Sequence, residues 1–165
     1  MALFCLAINE IAQTGLSSLP PVIYYSEQLF SMKINLLQLQ THGDERGSLV
    51  ALEEGVNIHF SVKRVYYMFN TGEGVRRGFH AHRTLKQVAI AVRGSCRFLL
   101  DDGHEKIEVH LDNPYQGLLI ESFVWREMFD FSDDCVLMVL ADSLYDESDY
   151  VRDYSEFLSI VNKGK

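Results

Sequence analysis

Hydrophobic and polar residues alternate with a period of two along most of the chain after Met32. Runs such as KINLLQLQ, KQVAIAVRG and KIEVHLD follow this pattern, and short polar or glycine-containing turns separate them. Because successive side chains of a β-strand point to opposite faces, the alternation is typical of half-buried strands. Nine or ten short strands at close spacing predict a mainly β domain, either a sandwich or a small barrel.

The C-terminal segment DESDYVRDYSEFLSIVNKG has a different period. Its apolar residues recur three and four positions apart, which predicts one helix packed on the β domain. Ser148 or Asp149 is expected to cap the start of this helix, and Gly164 follows its end. The apolar positions are Tyr150, Tyr154, Phe157, Leu158 and Val161.

The first 31 residues do not share the strand pattern. Their opening MALFCLAINE is apolar but has no basic residue before the apolar run, so it does not match a secretory signal. We interpret residues 1–31 as an N-terminal arm or extension and residues 32–165 as one domain. No apolar run approaches the roughly 20 residues of a membrane-spanning helix, so no membrane association is expected.

Composition and charge narrow the class of protein. The 165 residues are 47% hydrophobic and 23% charged, which suits one globular domain. A net charge of −8 and the absence of a basic run longer than Arg76-Arg77 argue against general nucleic-acid binding. Three cysteines without a CxxC spacing argue against a disulfide framework or a cysteine-based zinc site, and they indicate a cytoplasmic protein.

The segment GVRRGFHAHR places two histidines one residue apart. On a strand, His80 and His82 share one face and Ala81 takes the other. The spacing is similar to the cupin metal motif G-x5-HxH-x3-4-E-x6-G, which is followed by a histidine on a later strand. Here Gln87 stands at the glutamate position, and the later stretch LLIESFVWREMF contains no histidine. Two imidazoles and a neutral amide make a weak metal site, so no metal or other cofactor is expected.

Acid–base chemistry is the alternative use of the histidine pair. Histidine is the side chain best suited to taking and giving a proton near neutral pH. One histidine could simply be a satisfied polar residue of the barrel. Two histidines on one face, beside an arginine and a glycine-rich loop, favour a role in proton transfer.

A second polar face is predicted in KRVYYMF, where Arg64 and Tyr66 point the same way and Tyr67 points to the other side as a packing residue. Guanidinium groups suit diphosphate oxygens, because they can bind them with two parallel hydrogen bonds. We expect two or three arginines of a larger set to contact ligand, and the Gln87 amide to orient a base or a sugar hydroxyl. The set is Arg46, Arg64, Arg76, Arg77 and Arg126.

Several segments, in order along the chain, resemble the sugar 3,4-ketoisomerases of the FdtA/QdtA (WxcM-like) kind, within the cupin superfamily. They are DERGSLVALEE, KRVYYMF, RGFHAHR, GSCRFLLDDG, NPYQGL, WREMFDFSDDCVLMVLAD and YDESDYVRDYSEF. The resemblance implies a small cupin (jelly-roll) β-barrel with one C-terminal helix. It also implies metal-free chemistry, and a homodimer that exchanges N-terminal strands.

The resemblance further implies a reaction. The substrate is dTDP-4-dehydro-6-deoxy-D-glucose, and the ketone moves from C4 to C3 through an enediol or enediolate. The product supplies 3-amino sugars of surface polysaccharide. His80 is assigned as the principal base, His82 as a companion that shuttles a proton or polarises an oxygen, and Tyr66 as a donor to the sugar oxygens. The two histidine roles could be exchanged. The substrate-binding residues are Arg46, Arg64, Arg77, Gln87 and Arg126.

Alternatives stay open at this point. A related nucleotide-sugar 3,5-epimerase would use acid and base on opposite ring faces, and a non-catalytic nucleotide-sugar-binding module would tolerate loss of His80. A metal-dependent oxygenase is disfavoured by Gln87. The configuration of the product at C4, galacto or gluco, is also open, with Arg46 and Arg126 as the candidate residues that set it.

Overall fold

The protein is seen here as a computed structural model that describes residues 32–163. The arm predicted for residues 1–31 and the helix-ending position of Gly164 lie outside the described residues. Within the described part, no helix is both long enough and apolar enough to cross a membrane.

Residues 32–163 form twelve strands, one 3-10 turn (Glu147–Asp149) and one α-helix. In chain order, the bounds are β1 Asn35–Gln38, β2 Thr41–Asp44, β3 Gly47–Val50, β4 Arg64–Phe69, β5 Arg77–His82, β6 Gln87–Arg93, β7 Cys96–Asp101, β8 Lys106–Leu111, β9 Gln116–Ile120, β10 Trp125–Phe129, β11 Val136–Ala141, β12 Tyr150–Val151 and α1 Tyr154–Lys163.

The strands form two five-stranded antiparallel sheets, in the orders β1-β9-β6-β11-β4 and β12-β5-β10-β7-β8. Alternate residues of both sheets, such as Phe98, Leu118 and Leu137, meet in one buried core. This arrangement confirms the mainly β jelly-roll fold with one C-terminal helix. Within residues 32–163, the hydrogen-bond ladders leave two facing sheets rather than one closed barrel.

Two strands were not predicted. The first lies in the polar segment THGDERG, where Thr41–Asp44 pairs with Gly47–Val50 in a separate exposed hairpin. The second is β12, whose residues were placed in the C-terminal helix. Both strands are short and polar or follow turn residues, so alternation of hydrophobic residues gave no signal for them.

The helix begins later than the sequence pattern predicts. Asp153, not Ser148 or Asp149, caps it, because its carboxylate accepts the backbone N–H of Glu156 at 2.7 Å. Phe157 is fully buried against Trp125 and Ala81, so α1 covers the outer face of β5. This packing confirms that Ala81 and the two histidines occupy opposite faces of the strand.

Candidate active site

Strand β5 carries a bulge immediately before the histidines. Opposite β10, Arg126 pairs with His80 and Glu127 with Gly78, so Phe79 is an extra residue with φ of +53°. Gly78 has φ of +93°, and a Cβ there would lie 2.6 Å from the Arg126 carbonyl oxygen. Glycine is therefore required at this position, and the bulge sets the direction in which His80 leaves the strand.

His80 lies in the wall of a surface cleft, half-buried, with one ring nitrogen engaged. Its Nδ1 is 2.9 Å from the Gly78 carbonyl oxygen, which can only accept, so Nδ1 carries the proton and Nε2 keeps a lone pair. Burial, and next the nearby positive charge of Arg126, lower the pKa of His80 to about 4. At neutral pH this imidazole is a neutral base.

His82 lies behind His80, with 1% of its surface exposed. The two rings are 4.9 Å apart and nearly perpendicular. The Nδ1 of His82 is 2.9 Å from the Asp149 carboxylate. Burial, and next the positive charge of Arg126, lower the pKa of His82. Burial raises the pKa of Asp149, but the hydrogen bonds from Thr84 and His82 outweigh it, so the net shift of that pKa is downwards. A neutral imidazole thus donates to an ionised carboxylate.

Tyr66 enters the same cleft from β4, on the other sheet. Its phenol oxygen accepts a hydrogen bond from the Gln87 side-chain amide at 2.9 Å. Burial raises the pKa of Tyr66, so the phenol stays protonated at neutral pH. Since Gln87 occupies a lone pair of the oxygen, the phenol proton remains available to an acceptor in the cleft.

Arg126 is a cation buried at the inner end of the site, with 2% of its surface exposed. One nitrogen, Nη2, donates to the Glu121 carbonyl oxygen at 3.4 Å, and Nε and Nη1 have no hydrogen-bond partner among the described residues. Burial lowers the pKa of Arg126 to about 10, so it is still charged at neutral pH. It borders a cavity of about 20 Å³, large enough for one water or one oxygen atom, together with Tyr66, His80 and Gln87.

The cleft has a volume of about 390 Å³, within the range of small-ligand sites. Strands β4, β5, β10 and β12, with the residues that flank β12, form its walls. The lining residues are Arg64, Tyr66 and Met68 from β4, Arg77, Gly78 and His80 from β5, Met128 from β10, and Tyr145, Tyr150 and Arg152 from the segment before α1. The predicted alternation of KRVYYMF is thus confirmed, with Arg64, Tyr66 and Met68 on the cleft side.

The structure brings most predicted site residues together, but in different layers. His80, Tyr66, Arg64 and Arg77 line the cleft, whereas His82, Gln87 and Arg126 lie behind them. Gln87 binds Tyr66 through its amide nitrogen.

Arg46 and Tyr67 lie elsewhere. Arg46 is on the β2–β3 turn, with its side chain 84% exposed and paired with Asp44, and it does not line the cleft of the described chain. Tyr67 is 65% exposed, so the expected packing role is not seen in residues 32–163. Its ring lies beside Phe69 on the outer face of β4.

Sequence reasoning missed the segment that follows β11. Tyr150, assigned to the helix, is on β12 opposite His82, and its ring lies 4.2 Å from the His82 ring and 4.9 Å from the His80 ring. Arg152 stacks on Tyr150 at 4.3 Å and forms two hydrogen bonds to Glu147. The polar and apolar residues of DYV were the available signal for strand β12, but the longer helical period of the residues that follow concealed it.

The described residues contain no group of three or more histidine, cysteine, aspartate or glutamate side chains placed to hold a metal ion. The two described cysteines, Cys96 and Cys135, are buried and free.

Comparison with known proteins gives a consistent result. Residues 32–162 match the family model FdtA, described as WxcM-like, C-terminal. A protein named TDP-4-oxo-6-deoxy-alpha-D-glucose-3,4-oxoisomerase, from Aneurinibacillus thermoaerophilus, is 55% identical over 120 residues, which is 73% of this chain and 86% of that protein.

Solved structures agree with the family match. A 3,4-ketoisomerase from Helicobacter canadensis is 44% identical with a TM-score of 0.77, over 80% of this chain and 99% of that one. A histidine-to-asparagine variant of the 3,4-ketoisomerase QdtA from Thermoanaerobacterium thermosaccharolyticum, in complex with TDP-4-keto-6-deoxyglucose, is 38% identical with a TM-score of 0.77. That match covers 79% of this chain and 94% of the other.

Proposed function

The chain belongs to the FdtA (WxcM-like, C-terminal) family, and on that premise we propose that it is a sugar-nucleotide 3,4-ketoisomerase. Its substrate is dTDP-4-dehydro-6-deoxy-D-glucose, and it moves the ketone from C4 to C3. The observation that carries the proposal is the neutral His80 in the cleft wall, with Nε2 free, beside the phenol of Tyr66 and the buried charge of Arg126.

His80 removes the hydrogen on C3. The C4 ketone makes this hydrogen acidic, because the electron pair left on C3 delocalises onto the C4 oxygen. A neutral imidazole with a free lone pair can accept the proton, and the carbonyl of Gly78 keeps the ring in the tautomer that leaves Nε2 unprotonated.

The intermediate is an enediolate, whose negative charge must be stabilised. The phenol of Tyr66 donates to the enolate oxygen, and the guanidinium of Arg126 provides positive charge at the inner end of the cleft. Such preorganised donors are worth most where water is excluded. The same Arg126 charge lowers the pKa of His80, which keeps the base unprotonated before the reaction.

The second half of the reaction places a proton on C4. The electron pair of the enediolate attacks the proton carried by His80, and the C3 hydroxyl gives up its proton as the C3 ketone forms. The C4 oxygen receives its proton either directly from the C3 hydroxyl or from Tyr66, and in the second case the C3 hydroxyl proton restores the phenol. Atoms balance without an oxidant or cofactor, since the substrate and product are isomers.

The arginines at the mouth of the cleft are proposed to bind the diphosphate. Arg64 and Arg77 line the cleft, and Arg64 Nε is buried without a hydrogen-bond partner in residues 32–163. Arg152, fixed by Glu147, adds a third guanidinium on the opposite wall. Guanidinium groups are well suited to phosphate oxygens.

The wider proposal covers the protein's setting. We propose that the enzyme works without a metal, as a cytoplasmic homodimer that exchanges N-terminal strands between its subunits. Its 3-keto product would supply amino sugars for surface polysaccharide. Size-exclusion chromatography with light scattering of the full chain tests the homodimer, and a monomer would contradict it.

An NMR assay with dTDP-4-dehydro-6-deoxyglucose in D2O, with and without a chelator, tests the reaction. We expect a 3-keto product, formed at the same rate with chelator. The coupling of the C4 hydrogen gives the configuration of the product. Epimerised 4-keto sugar would indicate a 3,5-epimerase, and tight TDP binding without any product would indicate a binding module.

A further inference from the structure

One carboxylate attaches the segment after β11 to strand β5. Asp149 binds His82 Nδ1 at 2.9 Å and accepts hydrogen bonds from the backbone N–H and the hydroxyl of Thr84, both at 2.8 Å. Its neighbour Tyr150 pairs with His82 in the β5–β12 ladder. The orientation of one imidazole and the position of Tyr150 therefore depend on the same side chain.

His82 is almost completely buried beside the cleft. It is 1% exposed and is absent from the residues that line the cleft. Its ring instead touches His80 edge-on and lies under Tyr150. His82 also borders a neighbouring cavity of about 350 Å³ that shares Arg64 and Tyr150 with the cleft, and it contacts the cleft itself through His80 and Tyr150.

The partner of Nδ1 decides the chemistry of the other ring nitrogen. A carboxylate can only accept, so the proton of neutral His82 is on Nδ1 and Nε2 keeps a lone pair. Nε2 is buried without a hydrogen-bond partner in residues 32–163, and Arg126 Nε and Nη1 are in the same state. Near the positive guanidinium of Arg126, a lone pair on His82 Nε2 is electrostatically favourable. A hydrogen on Nε2 would instead bring a positively polarised N–H towards a cation.

We infer that Asp149 is a positioning residue of this enzyme: it fixes His82 in the Nδ1–H tautomer, so that Nε2 stays an acceptor, and it holds Tyr150 over both imidazoles. The kinetic part of the inference rests on the proposed isomerase function. The tautomer itself is a property of the free protein.

The charges of the site agree with this role. Asp149 is negative and Arg126 is positive, and both imidazoles between them are neutral, so the charges of this group of residues balance before substrate binds. When His80 takes the proton from C3, the new positive charge forms beside Arg126. The Asp149 carboxylate, one imidazole away, offsets part of that repulsion.

Asp149→Asn is designed to change the tautomer of His82 while it keeps the hydrogen bonds that hold the segment in place. The amide oxygen can still accept from Thr84, but the NH2 group facing His82 needs an acceptor at Nδ1, which moves the ring proton to Nε2. The same exchange in a serine protease triad leaves the geometry intact and lowers kcat about 10⁴-fold. Because His82 acts through neighbours, we expect a decrease of about 10²- to 10⁴-fold in kcat and TDP affinity within about threefold of the wild type.

The experiment combines kinetics with long-range ¹H–¹⁵N NMR of the histidine rings, using the full chain. We expect His82 as the Nδ1–H tautomer in the wild type and as Nε2–H in Asp149→Asn. Asp146→Asn is the matched control, since that carboxylate binds Ser148 and no histidine; it should keep both the tautomer and kcat. Thr84→Val removes one bond to Asp149 while retaining the bond to His82, so the tautomer should be unchanged and kcat should fall less than in Asp149→Asn.

An unchanged His82 tautomer in Asp149→Asn, or kcat within threefold of the wild type, would overturn the inference. Equal decreases of kcat in Thr84→Val and Asp149→Asn would overturn it as well, because they would assign Asp149 to anchoring alone. A wild-type protein without isomerase activity would instead remove the proposed function, and the NMR comparison would still decide the tautomer.

Discussion

The side-chain amide of Gln87 donates a hydrogen bond of 2.9 Å to the phenol oxygen of Tyr66. The two residues are on β6 and β4, which are separated by β11 in the same sheet, and Gln87 is only 4% exposed. Gln87 stands where the cupin motif has a metal-binding glutamate. In this site the amide serves to hold a proton donor, which is a different use of the same strand position.

Tyr66→Phe is expected to lower kcat about 10²- to 10³-fold, because it removes one donor to the enediolate oxygen. It should also lower the free energy of unfolding by about 1–3 kcal/mol, since the buried Gln87 amide loses its acceptor. Adding Gln87→Leu should restore stability but not activity, because replacing both partners of a hydrogen bond with apolar groups is nearly neutral. Steady-state kinetics and urea denaturation give both quantities, and a Tyr66→Phe variant of normal kcat would contradict the assigned role.

His80→Asn should abolish turnover while leaving the fold and TDP binding intact. Asparagine has no lone pair on nitrogen that can accept the C3 proton, yet it can still donate to the Gly78 carbonyl oxygen. NMR detection of product over hours, with calorimetric titration of TDP, measures the two effects. His110→Asn, on the exposed part of β8, is the matched control and should retain full activity. Near-normal turnover in His80→Asn would refute the assignment of His80 as the base.

The strands of the two sheets could be predicted, because their burial follows the sequence period. In β8, Ile107, Val109 and Leu111 face the core while the intervening residues are exposed, as the alternation of KIEVHLD requires. The same alternation places His80 and Tyr66 on the sides of their strands that face the cleft. The sequence pattern also predicts a C-terminal helix packed on the β domain, and Phe157 of that helix is buried there.

Other parts of the site depend on tertiary contacts that no local pattern reports. Tyr150 lies over the histidines because Asp149 is bound to Thr84, 65 residues away in sequence. The direction in which His80 leaves β5 depends on a bulge at Phe79, which requires positive φ at a phenylalanine and has no composition signal. The family resemblance implies that Arg46 binds substrate, whereas in the described chain it is exposed on a hairpin and paired with Asp44.

Gly78→Ala is expected to destabilise the protein by about 2 kcal/mol or more, since the left-handed conformation alone costs an L-residue about 1–2 kcal/mol and the new Cβ would also meet the Arg126 carbonyl oxygen. Gly74→Ala is the matched control: its φ of +71° imposes similar backbone strain, but no atom lies within 4 Å of the added Cβ. Thermal or urea unfolding of both variants isolates the contribution of the close contact. Equal destabilisation would show that the β5–β10 approach is not tight, and that the bulge does not depend on glycine.

The lowered pKa of His80, about 4, makes two linked predictions about pH. The free enzyme keeps its base unprotonated down to roughly pH 4–5, so kcat/KM should not decline through the ordinary histidine range near 6.5. In the unfolded chain the imidazole titrates near 6.5, so between pH 6.5 and 4 the unfolded state binds more protons than the folded one. Stability is therefore fully present above about pH 6.5, and it falls as the pH drops towards 4.

Measuring the free energy of unfolding of the wild type and of His80→Asn at pH 7 and pH 5 gives the contribution of His80 to the pH dependence of stability. Acidification should cost the wild type about 1–2 kcal/mol more than the variant, because a fully buried shift of this size approaches 1.4 kcal/mol per pH unit and His80 is only partly buried. His82 remains in both proteins, but its pKa is lowered by burial, by Arg126 and also by His80, so the difference between the two proteins includes the interaction of the two histidines. If both lose the same free energy of unfolding, the imidazole of His80 is not held neutral by its surroundings, and the source of its basicity in the cleft must lie in the bound substrate.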